Sequence, residues 1–549
     1  MPTVSAHVAL TLAQHIDAVF GVMGNGNAYF LDALEKQTEA TFTAVRHEQG
    51  AVVAADAHFR ASGRIAAGTS TYGAGFTNTL TALAESVQAH VPLVLVVGDE
   101  PTSGPRPWDV DQIALASAVG ARTYTVGRAD AAATTVIAIE HALTYRVPVV
   151  LAIPYDVASL EAGEVPAAPS PRVPAPLAPR GEFAEGMLDQ IAAALAGAER
   201  PFLLAGRGAW LSSASTALGE LAKATGALTA SSALGRGVFP ETKYDLGVTG
   251  GFGADGAMEL IHTADVAVVF GASLNQFTMR FGELFAPGTT VFQIDIAPAA
   301  THAHVGGFVR ADARLAAEAL VDRIGTTTIA APWRESVDVA SARAYDDGDD
   351  LAPDGRLDPR SAARRIAEML PEDRIVVSDG GHFIGWANMY WPVAAPDRMM
   401  MVGTAFQSIG QGWPSVVGAA LARRESTIVL TSGDGGGLMA IADLESAVRA
   451  AGGRGMAVVW NDAAYGAEVN LYGLKGLAEA PMRIPEVDFA AFGAAVGAEG
   501  VVVRTLADLD RLEAWTAEAP SSRRFLLLDL RISGDVIAPY QQEIIRVNS

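Results

Sequence analysis

The chain has 549 residues, half of them apolar, and contains no cysteine. Its 39 basic and 61 acidic side chains give a formal net charge of −22, which argues against nucleic-acid binding because nucleic acid requires a basic face. The lack of cysteine excludes disulfides, Cys-ligated metals and thiol catalysis. No apolar stretch is long enough to predict a membrane span, and residues 1–16 lack the pattern of a secretory signal. We therefore expect a soluble, cytoplasmic enzyme.

The first part of the chain alternates short apolar runs with helical patterns, and residues 1–165 are predicted to form one domain. Strands are predicted at 18–23, 41–45, 65–71, 93–97 and 149–153. Helices are predicted at 29–36, after 50 and at 76–90. The strand–helix–strand order favours a parallel sheet with helices on both faces.

Two linkers divide the rest of the chain. The first, at 157–185, is rich in proline, and the second, at 326–357, contains an acidic loop. Further domains are predicted at 186–325 and 356–535, with a C-terminal tail at 536–549. Their predicted strands lie at 201–205, 266–270, 290–294, 374–378, 399–402, 427–431, 456–460 and 525–530. The sequence thus predicts an α/β protein of three successive domains with mainly parallel sheets.

A glycine-rich acidic segment, Ser-Gly-Asp-Gly-Gly-Gly at 432–437, follows one of these strands. A helix is predicted over 438–448, and the next strand ends in Asn461-Asp462. In a parallel sheet these groups lie at the carboxyl ends of neighbouring strands, where open α/β sheets bind ligands. Glycines let the backbone approach a phosphate, and carboxylate oxygens suit Mg²⁺. The pattern therefore favours a metal–diphosphate site.

The spacing of this segment resembles the cofactor motif of thiamine diphosphate enzymes. Gly433-Asp434-Gly435 is followed after twenty-five residues by Asn461-Asp462, where the family has Asn-Asn. The resemblance implies thiamine diphosphate and Mg²⁺ as cofactors, with Asp434 as a metal ligand. It also implies that the three domains are a pyrimidine-binding, a middle and a diphosphate-binding domain.

The second metal ligand depends on how this motif is counted. Counting back from Gly466, in the Tyr-Gly pair, gives Asp462, with the carbonyl of Ala464 as a further ligand. Counting forward from Asp434 by the commonest family gap gives Asn461 instead. We prefer Asp462, because the loop at 452–455 can hold one extra residue, and Asn461 stays the alternative.

The segment Arg-His-Glu-Gln-Gly at 46–50 resembles the other half of the family's site. From the residues alone, Glu48 is an acidic side chain favourably placed at a helix start. In the family, this glutamate bonds a pyrimidine nitrogen and promotes the imino tautomer that takes the proton from the thiazolium carbon. The family assembles its site from two subunits, which implies a homodimer or homotetramer with shared active sites.

Two further segments resemble cofactor loops of the family. The segment 407–414 is similar to Gly-x-Met-Gly-x-Gly-x-Pro, with Ile409 at the position of the wedge that bends the cofactor, and 379–383 is similar to the loop around the diphosphate. The resemblance implies cofactor contacts from Glu48, Gly381, His382, Phe383, Gln407, Ile409, Gly433, Gly435, Gly436, Asn461 and Tyr465.

The loops expected around the substrate resemble two different branches of the family. Thr71–Gly75 is similar to a loop of 2-oxoacid decarboxylases, and Glu468 stands where those enzymes place a catalytic glutamate. However, residues 100–125 lack the decarboxylases' His-His pair, and Asn25 replaces an aspartate.

The segment Gly98–Ser103 resembles acetolactate synthases more closely, and the resemblance places the amide of Gln112 near the reacting centre. The middle domain is also similar to the acetolactate synthase and pyruvate oxidase group, some members of which hold FAD. The sequence leaves FAD undecided.

We therefore expect an enzyme that adds the cofactor carbanion to a 2-oxoacid or related 2-oxo compound and cleaves the adjacent C–C bond. It would release an aldehyde or ligate the intermediate to an acceptor carbonyl. An acetolactate synthase-like carboligase or an FAD-containing oxidase is the alternative, and a non-catalytic relative is the third. A dinucleotide dehydrogenase is disfavoured because residues 24–27 lack a third glycine at the right spacing. The candidate catalytic residues are Glu48, Glu468, Gln112, Asn25 and Tyr72.

Overall fold

Three six-stranded sheets, arranged one after another along the chain, form the framework of the molecule. The computed structural model describes residues 1–167, 169–325 and 332–548. In each sheet neighbouring strands run parallel, and helices connect them. This confirms the predicted α/β class. The start of the second predicted linker, at 326–331, lies outside the described residues.

The first sheet is built from short, largely buried strands. They are β1 (Ala18–Gly21), β2 (Thr41–Ala44), β3 (Ala66–Ser70), β4 (Leu93–Asp99), β5 (Arg122–Thr125) and β6 (Pro148–Pro154). The helices around it are α1 (Val4–Leu12), α2 (Ala28–Gln37), α3 (Glu48–Ser62), α4 (Ala74–Thr77), α5 (Leu80–Gln88), α6 (Gln112–Ala118) and α7 (Ala131–Tyr145). The strand order is β2-β1-β3-β4-β6-β5.

The second sheet has a different strand order. Its strands are β7 (Pro201–Ala205), β8 (Leu228–Ser231), β9 (Asp245–Val248), β10 (Val266–Phe270), β11 (Thr290–Asp295) and β12 (Val305–Arg310). The helices are α8 (Glu182–Gly197), α9 (Arg207–Leu211), α10 (Ser215–Thr225), α11 (Asp255–His262), α12 (Ala313–Ile324), α13 (Pro332–Ser336) and α14 (Val339–Ala342). The order β12-β11-β10-β7-β8-β9 is that of a doubly wound dinucleotide-binding sheet.

The third sheet repeats the strand order of the first. Its strands are β13 (Arg374–Ser378), β14 (Met399–Met401), β15 (Thr427–Gly433), β16 (Gly455–Asn461), β17 (Glu499–Val503) and β18 (Leu526–Arg531), in the order β14-β13-β15-β16-β18-β17. The helices are α15 (Pro359–Met369), α16 (Ile384–Tyr390), α17 (Gly412–Ala422), α18 (Asp434–Met439), α19 (Leu444–Ala451), α20 (Gly466–Glu468), α21 (Phe489–Ala495), α22 (Asp510–Ala517) and α23 (Pro539–Asn548).

One apolar core joins the first and third sheets. Helix α3 packs directly on α17, and buried side chains of both helices belong to the same cluster. The helices approach so closely that a Cβ on Gly418 would lie 2.0 Å from the carbonyl oxygen of Ala54. This contact fixes the two domains relative to each other within one chain.

Two sequence predictions need correction. The helix predicted over 438–448 is not continuous, because α18 ends at Met439, a short 3-10 turn spans Ile441–Asp443, and α19 begins at Leu444. At this break, Asp443 accepts hydrogen bonds from the Arg46 backbone N–H (2.7 Å) and Ser446 Oγ (2.8 Å). A contact from the first domain therefore interrupts the helical pattern.

The helix predicted over 76–90 is also interrupted. It divides into α4 and α5 at Thr79, whose hydroxyl donates to the Phe76 carbonyl (2.6 Å). Within the predicted C-terminal tail at 536–549, residues Pro539–Asn548 form helix α23. Proline at the first helical position, followed by Gln and Glu, is favourable for such a helix.

Candidate active site

The acidic residues singled out in the sequence meet at one edge of the third sheet. Asp434 directly follows β15, and Asp462 directly follows β16. The two strands are hydrogen-bonded neighbours, with Gly433 opposite Trp460. The sequence prediction of two adjacent carboxyl ends is therefore confirmed.

Asp434 is buried, with 3% of its surface exposed. Its Oδ1 accepts a hydrogen bond from the Gly435 backbone N–H (3.0 Å), but among the described residues its buried Oδ2 has no donor. Burial, with the nearby charge of Asp462, raises the pKa of Asp434 to about 8. Burial also raises the pKa of Asp462 to about 6. Two such carboxylates side by side favour a bound cation.

Asn461 has a different environment from its neighbour Asp462. Its Nδ2 donates to the Val487 carbonyl and to Asp529 Oδ1, both at 2.9 Å, while its buried Oδ1 has no donor in the described residues. Asp529 in turn accepts from the Arg531 guanidinium (2.7 Å). The ion pair of Asp529 and Arg531 thus holds the amide of Asn461 in place. Asp462, by contrast, is the residue whose charge raises the pKa of Asp434.

The loop after Asp462 is fixed by backbone hydrogen bonds. Ile484 N–H donates to the Ala463 carbonyl (2.9 Å), and Tyr465 N–H donates to the Met482 carbonyl (2.8 Å). Ala463 has a positive φ of 56°, which is unusual for a residue with a side chain. Ala464, the predicted backbone ligand, is buried between Ala463 and Tyr465, whose backbones form these two hydrogen bonds.

The described residues contain no group of three or more His, Cys, Asp or Glu side chains arranged to hold a metal ion. A cation beside Asp434 and Asp462 would therefore need backbone or ligand oxygens to complete its coordination. A hard cation that accepts carbonyl and phosphate oxygens, such as Mg²⁺, fits this donor set.

Asp379 belongs to the segment 379–383 but was not among the predicted site residues. It follows β13 and is buried, and its Oδ1 accepts from the backbone N–H groups of Gly380 (2.8 Å), Gly410 (3.0 Å) and Gln411 (3.2 Å). Burial raises its pKa. The signal was available, because an aspartate directly after a strand is the same pattern that identified Asp434.

The glycines of the segment 432–437 are required by close contacts. A Cβ on Gly436 would lie 2.8 Å from Asp379 Oδ2, and one on Gly435 would lie 2.6 Å from the ring of Tyr465. A Cβ on Gly433 would lie 2.8 Å from the ring of Phe383. The predicted cofactor residues Gly433, Gly435, Phe383 and Tyr465 therefore form one compact cradle with Asp434.

His382 is held by the C-terminal segment. Its Nε2 accepts the Ala538 backbone N–H (3.1 Å), and burial lowers its pKa to about 4, so the ring is neutral. The Tyr540 hydroxyl lies within hydrogen-bond distance of the carbonyls of His382 (2.8 Å) and Gly381 (3.1 Å). Glu468 is exposed at the end of α20. Burial raises the pKa of Tyr540, and the charge of Glu468 raises it further.

The predicted wedge, Ile409, lies against the segment 379–383. A Cβ added to Gly380 would lie 3.0 Å from Cγ2 of Ile409. Gln407, two residues earlier, has a positive φ of 62° and donates from Nε2 to the Thr404 carbonyl (3.0 Å). Both residues therefore belong to the irregular segment that leads into α17.

The predicted residues of the first domain gather around the loop 71–75. Glu48 begins α3, and its Oε2 accepts from Asn78 Nδ2 (2.9 Å). Asn25 Nδ2 donates to the Tyr72 hydroxyl (2.9 Å). Gln112 is buried; its Oε1 accepts from the Gly73 backbone N–H (2.8 Å), and its Nε2 donates to the Gly98 carbonyl in β4 (2.9 Å). The structure thus brings all four side chains to the carboxyl edge of the first sheet.

The hydrogen bonds of the Glu48 carboxylate remain inside the first domain, whereas Asp434 and Asp462 lie on the third sheet. Within the described residues, no hydrogen bond or ion pair joins Glu48 to either aspartate. Within one chain, Glu48 is therefore not bonded directly to either aspartate, although Arg46, two residues earlier, contacts Asp443 and Glu445 of the third domain.

Comparison with known families matches all three domains. The N-terminal TPP-binding domain model of thiamine pyrophosphate enzymes matches residues 2–115, the central domain model matches 188–322, and the C-terminal TPP-binding domain model matches 379–530. The chain belongs to the thiamine pyrophosphate enzymes. Thiamine pyrophosphate is another name for thiamine diphosphate, so the first resemblance is confirmed.

Relatives of this thiamine pyrophosphate enzyme include two kinds of named protein. The acetolactate synthase isozyme 3 large subunit of Escherichia coli is 27% identical, over 79% of this chain and 78% of the relative. A probable acetolactate synthase large subunit of Methanocaldococcus jannaschii is 27% identical, over 78% and 74%. The sulfoacetaldehyde acetyltransferase of Castellaniella defragrans is 26% identical, over 98% and 94%. The chain is therefore a thiamine diphosphate-dependent enzyme of the acetolactate synthase or acetyltransferase type.

In the described parts of this enzyme, every helix is too short or too polar to cross a membrane.

Proposed function

We propose that this enzyme binds thiamine diphosphate through Mg²⁺ and transfers an acyl unit from a 2-oxoacid to an acceptor. The observation that carries the proposal is the buried, undonated Oδ2 of Asp434 beside the carboxylate of Asp462. Both residues, with the Ala464 carbonyl, would hold the metal. The glycine cradle at 433–436, at the carboxyl end of β15, would receive the diphosphate.

When bound, thiamine diphosphate would supply a nucleophilic carbon for attack on a 2-oxo carbonyl, and its cationic thiazolium ring would take up the electrons of the cleaved C–C bond. Glu48 holds the proton that this activation requires, at a pyrimidine ring nitrogen. Its position at the start of α3 and its bond to Asn78 fix the direction of its carboxyl group. A carboxyl group at this position can both donate and take back a proton, which an amide cannot do.

The remaining first-domain residues would orient the substrate. The pair Asn25 and Tyr72 offers an amide and a hydroxyl on the same edge as Glu48. Gln112 uses both ends of its amide on the backbone, so it would act by fixing the loop at Gly73. Glu468, exposed beside Tyr540, would handle a proton near the substrate.

The relatives support transfer of the acyl unit to an acceptor over release of a free aldehyde. They carry the names acetolactate synthase and sulfoacetaldehyde acetyltransferase, and the latter aligns over almost the whole chain. We therefore favour a transferase or carboligase acting on a small 2-oxoacid. Release of an aldehyde and an FAD-dependent oxidation are the competing outcomes.

The proposal is tested by incubating the enzyme with Mg²⁺, thiamine diphosphate and a panel of 2-oxoacids, with and without acceptor aldehydes, 2-oxoacids and phosphate. Release of CO₂ coupled to an acyl-transfer product would support the proposal. Release of CO₂ with only free aldehyde would identify a decarboxylase. A flavin absorbance band in the purified enzyme, with oxygen consumption, would identify an oxidase. No CO₂ from any substrate would contradict 2-oxoacid cleavage.

We also propose that the working enzyme is at least a homodimer, in which Glu48 of one chain faces Asp434 of the other. The placement of Glu48 beside the first sheet and of Asp434 beside the third sheet within one chain supports this assembly.

A further inference from the structure

A cavity of about 190 Å³ lies where the three domains of the chain meet. The end of α3 supplies one wall, α9 of the middle domain supplies a second, and the segment 396–400 of the third domain supplies another. None of the residues discussed for the candidate active site lines this cavity. The volume is sufficient for a small organic molecule and is much larger than a single water requires.

Arg207 is one of the residues that line the cavity, and its guanidinium group is incompletely paired. Its Nη1 donates to the backbone carbonyl of Ala89 (3.1 Å). Its Nη2 is shielded from solvent and has no acceptor among the described residues. Burial, together with the neighbouring positive charge of Arg60, lowers the pKa of Arg207 to about 9. A buried cation in this state is favourable only if an anion joins it.

The other arginines on the cavity wall already have anionic partners. Arg60 pairs with Asp56 (2.5 Å) and Glu85 (3.1 Å), and Arg423 pairs with Asp397. Both carboxylates beside Arg60 accept further hydrogen bonds from other groups, so they are engaged elsewhere. Arg207 therefore differs from its neighbours, because within the described ranges it has no carboxylate partner of its own.

The rest of the lining is mainly apolar. Phe59, Trp210, Leu234 and Met399 present aromatic and aliphatic surface to the cavity. An inorganic ion would leave this surface without contacts, whereas a molecule with one anionic end and a short apolar body would use both parts of the wall.

We propose that this junction binds a small organic carboxylate, with its carboxylate on Arg207 and its apolar body against Phe59, Trp210 and Leu234. A guanidinium group pairs well with a carboxylate in a site of low polarity. Such a ligand would contact all three domains at once, so it should stabilise their arrangement against unfolding.

The test uses the complete chain loaded with Mg²⁺ and thiamine diphosphate, titrated calorimetrically with isovalerate and, separately, with inorganic phosphate. We expect isovalerate to bind and to raise the unfolding temperature. Arg207→Met keeps much of the side-chain volume and removes the charge, and it should weaken binding by about tenfold or more. Arg200→Met, on an exposed arginine of the same domain, is the matched control and should bind as the wild type does.

A second variant keeps the test decisive if Arg207→Met fails to fold. Leu211→Trp fills the cavity while leaving Arg207 in place, and it should also abolish isovalerate binding. The proposal is overturned if the wild type does not bind isovalerate, or if either substitution, in a folded variant, leaves binding unchanged. Binding of phosphate but not of isovalerate would also overturn it, because the apolar wall would then have no part in recognition.

Discussion

The pair Asp434 and Asp462 sets the chemistry of the third domain at the scale of single residues. A buried carboxylate is stable in its charged form only if donors or cations surround it. Asp434 has one backbone donor to Oδ1, and its Oδ2 lies beside a second carboxylate. The simplest way to stabilise both charges near neutral pH is a divalent cation between them.

This arrangement makes stability depend on pH and on the metal. The folded-state pKa values of about 8 and about 6 exceed the usual aspartate value of 3.8. The metal-free folded state therefore binds more protons than the unfolded state, and it loses stability as pH rises from about 4 to about 8. We expect Mg²⁺ with thiamine diphosphate to raise the unfolding temperature more at pH 8 than at pH 6.

The same experiment on Asp462→Asn separates the metal from general charge effects. The metal-free variant should be more stable than the wild type at pH 8, by about 2 °C or more, because one repulsive charge is gone. Asp322→Asn, at an exposed position, should leave the profile unchanged. An equal Mg²⁺ effect at both pH values would rule out metal binding by this pair.

Glu48 is the second residue on which the proposed catalysis depends. Glu48→Gln keeps the size of the side chain and an acceptor for Asn78 but removes the transferable proton. We expect kcat to fall by about a hundredfold or more, with little change in unfolding temperature. Glu39→Gln, at an exposed position of the same domain, serves as the control. Steady-state assays of CO₂ release give the result, and full activity in Glu48→Gln would remove this residue from the mechanism.

The strand pattern and spacing singled out Asp434 and Asp462, whereas Glu48 was singled out only through the resemblance of residues 46–50 to the family. Such patterns could not show that Asn461 donates a hydrogen bond to Asp529, which lies sixty-eight residues away in the sequence. Nor could they show that Asp379 gathers three backbone N–H groups. Both findings depend on how distant segments fold together, which local periodicity does not encode.

At the scale of elements, the crossing of α3 and α17 depends on the absence of a side chain at Gly418. A methyl group there would overlap the carbonyl of Ala54 and force the helices apart. We expect Gly418→Ala to cost about 1–3 kcal/mol in thermal or denaturant unfolding. Gly186→Ala, in α8, meets no atom within 4 Å and should be neutral or stabilising. Equal stability of the two variants would show that the helices are not in close contact.

Helix α23 is attached to the third domain through the neutral ring of His382. The folded-state pKa of about 4 lies below the ordinary value of 6.5. The unfolded state therefore binds more protons between these values, and stability is lost as pH falls from about 6.5 to about 4. We expect His382→Gln to reduce the drop in unfolding temperature between pH 7 and pH 5. His262→Gln, exposed at the end of α11, should show the wild-type drop, and the same drop in both variants would contradict this role for His382.

The predicted strands were confirmed wherever a continuous apolar run marked a buried strand, as at β4, β15 and β16. The strand β5 was missed because its Arg-Thr-Tyr-Thr sequence lies half exposed at a sheet edge and has no apolar run. Similarly, β17 is a partly exposed edge strand. The break at Ala440 could not be foreseen, because the apolar spacing continues through it and the cause lies in a distant domain.

At the scale of the whole molecule, the first and third sheets share one strand order, and each presents its site residues at its carboxyl edge. This equivalence could not be predicted from the sequence, because the two domains share no motif. The sequence predicted the three-domain order correctly, since the linkers and the strand pattern are local features. The arrangement suggests two complementary half-sites that are completed by a second copy of the chain.

The most direct test mixes two inactive variants, Glu48→Gln and Asp434→Asn, and exchanges their subunits. If each active site takes Glu48 from one chain and Asp434 from the other, half of the sites in a mixed dimer are intact. We therefore predict that the mixture regains about a quarter of wild-type CO₂ release with Mg²⁺ and thiamine diphosphate. Failure to regain activity, despite mixed dimers confirmed by native mass spectrometry, would contradict a shared thiamine diphosphate site.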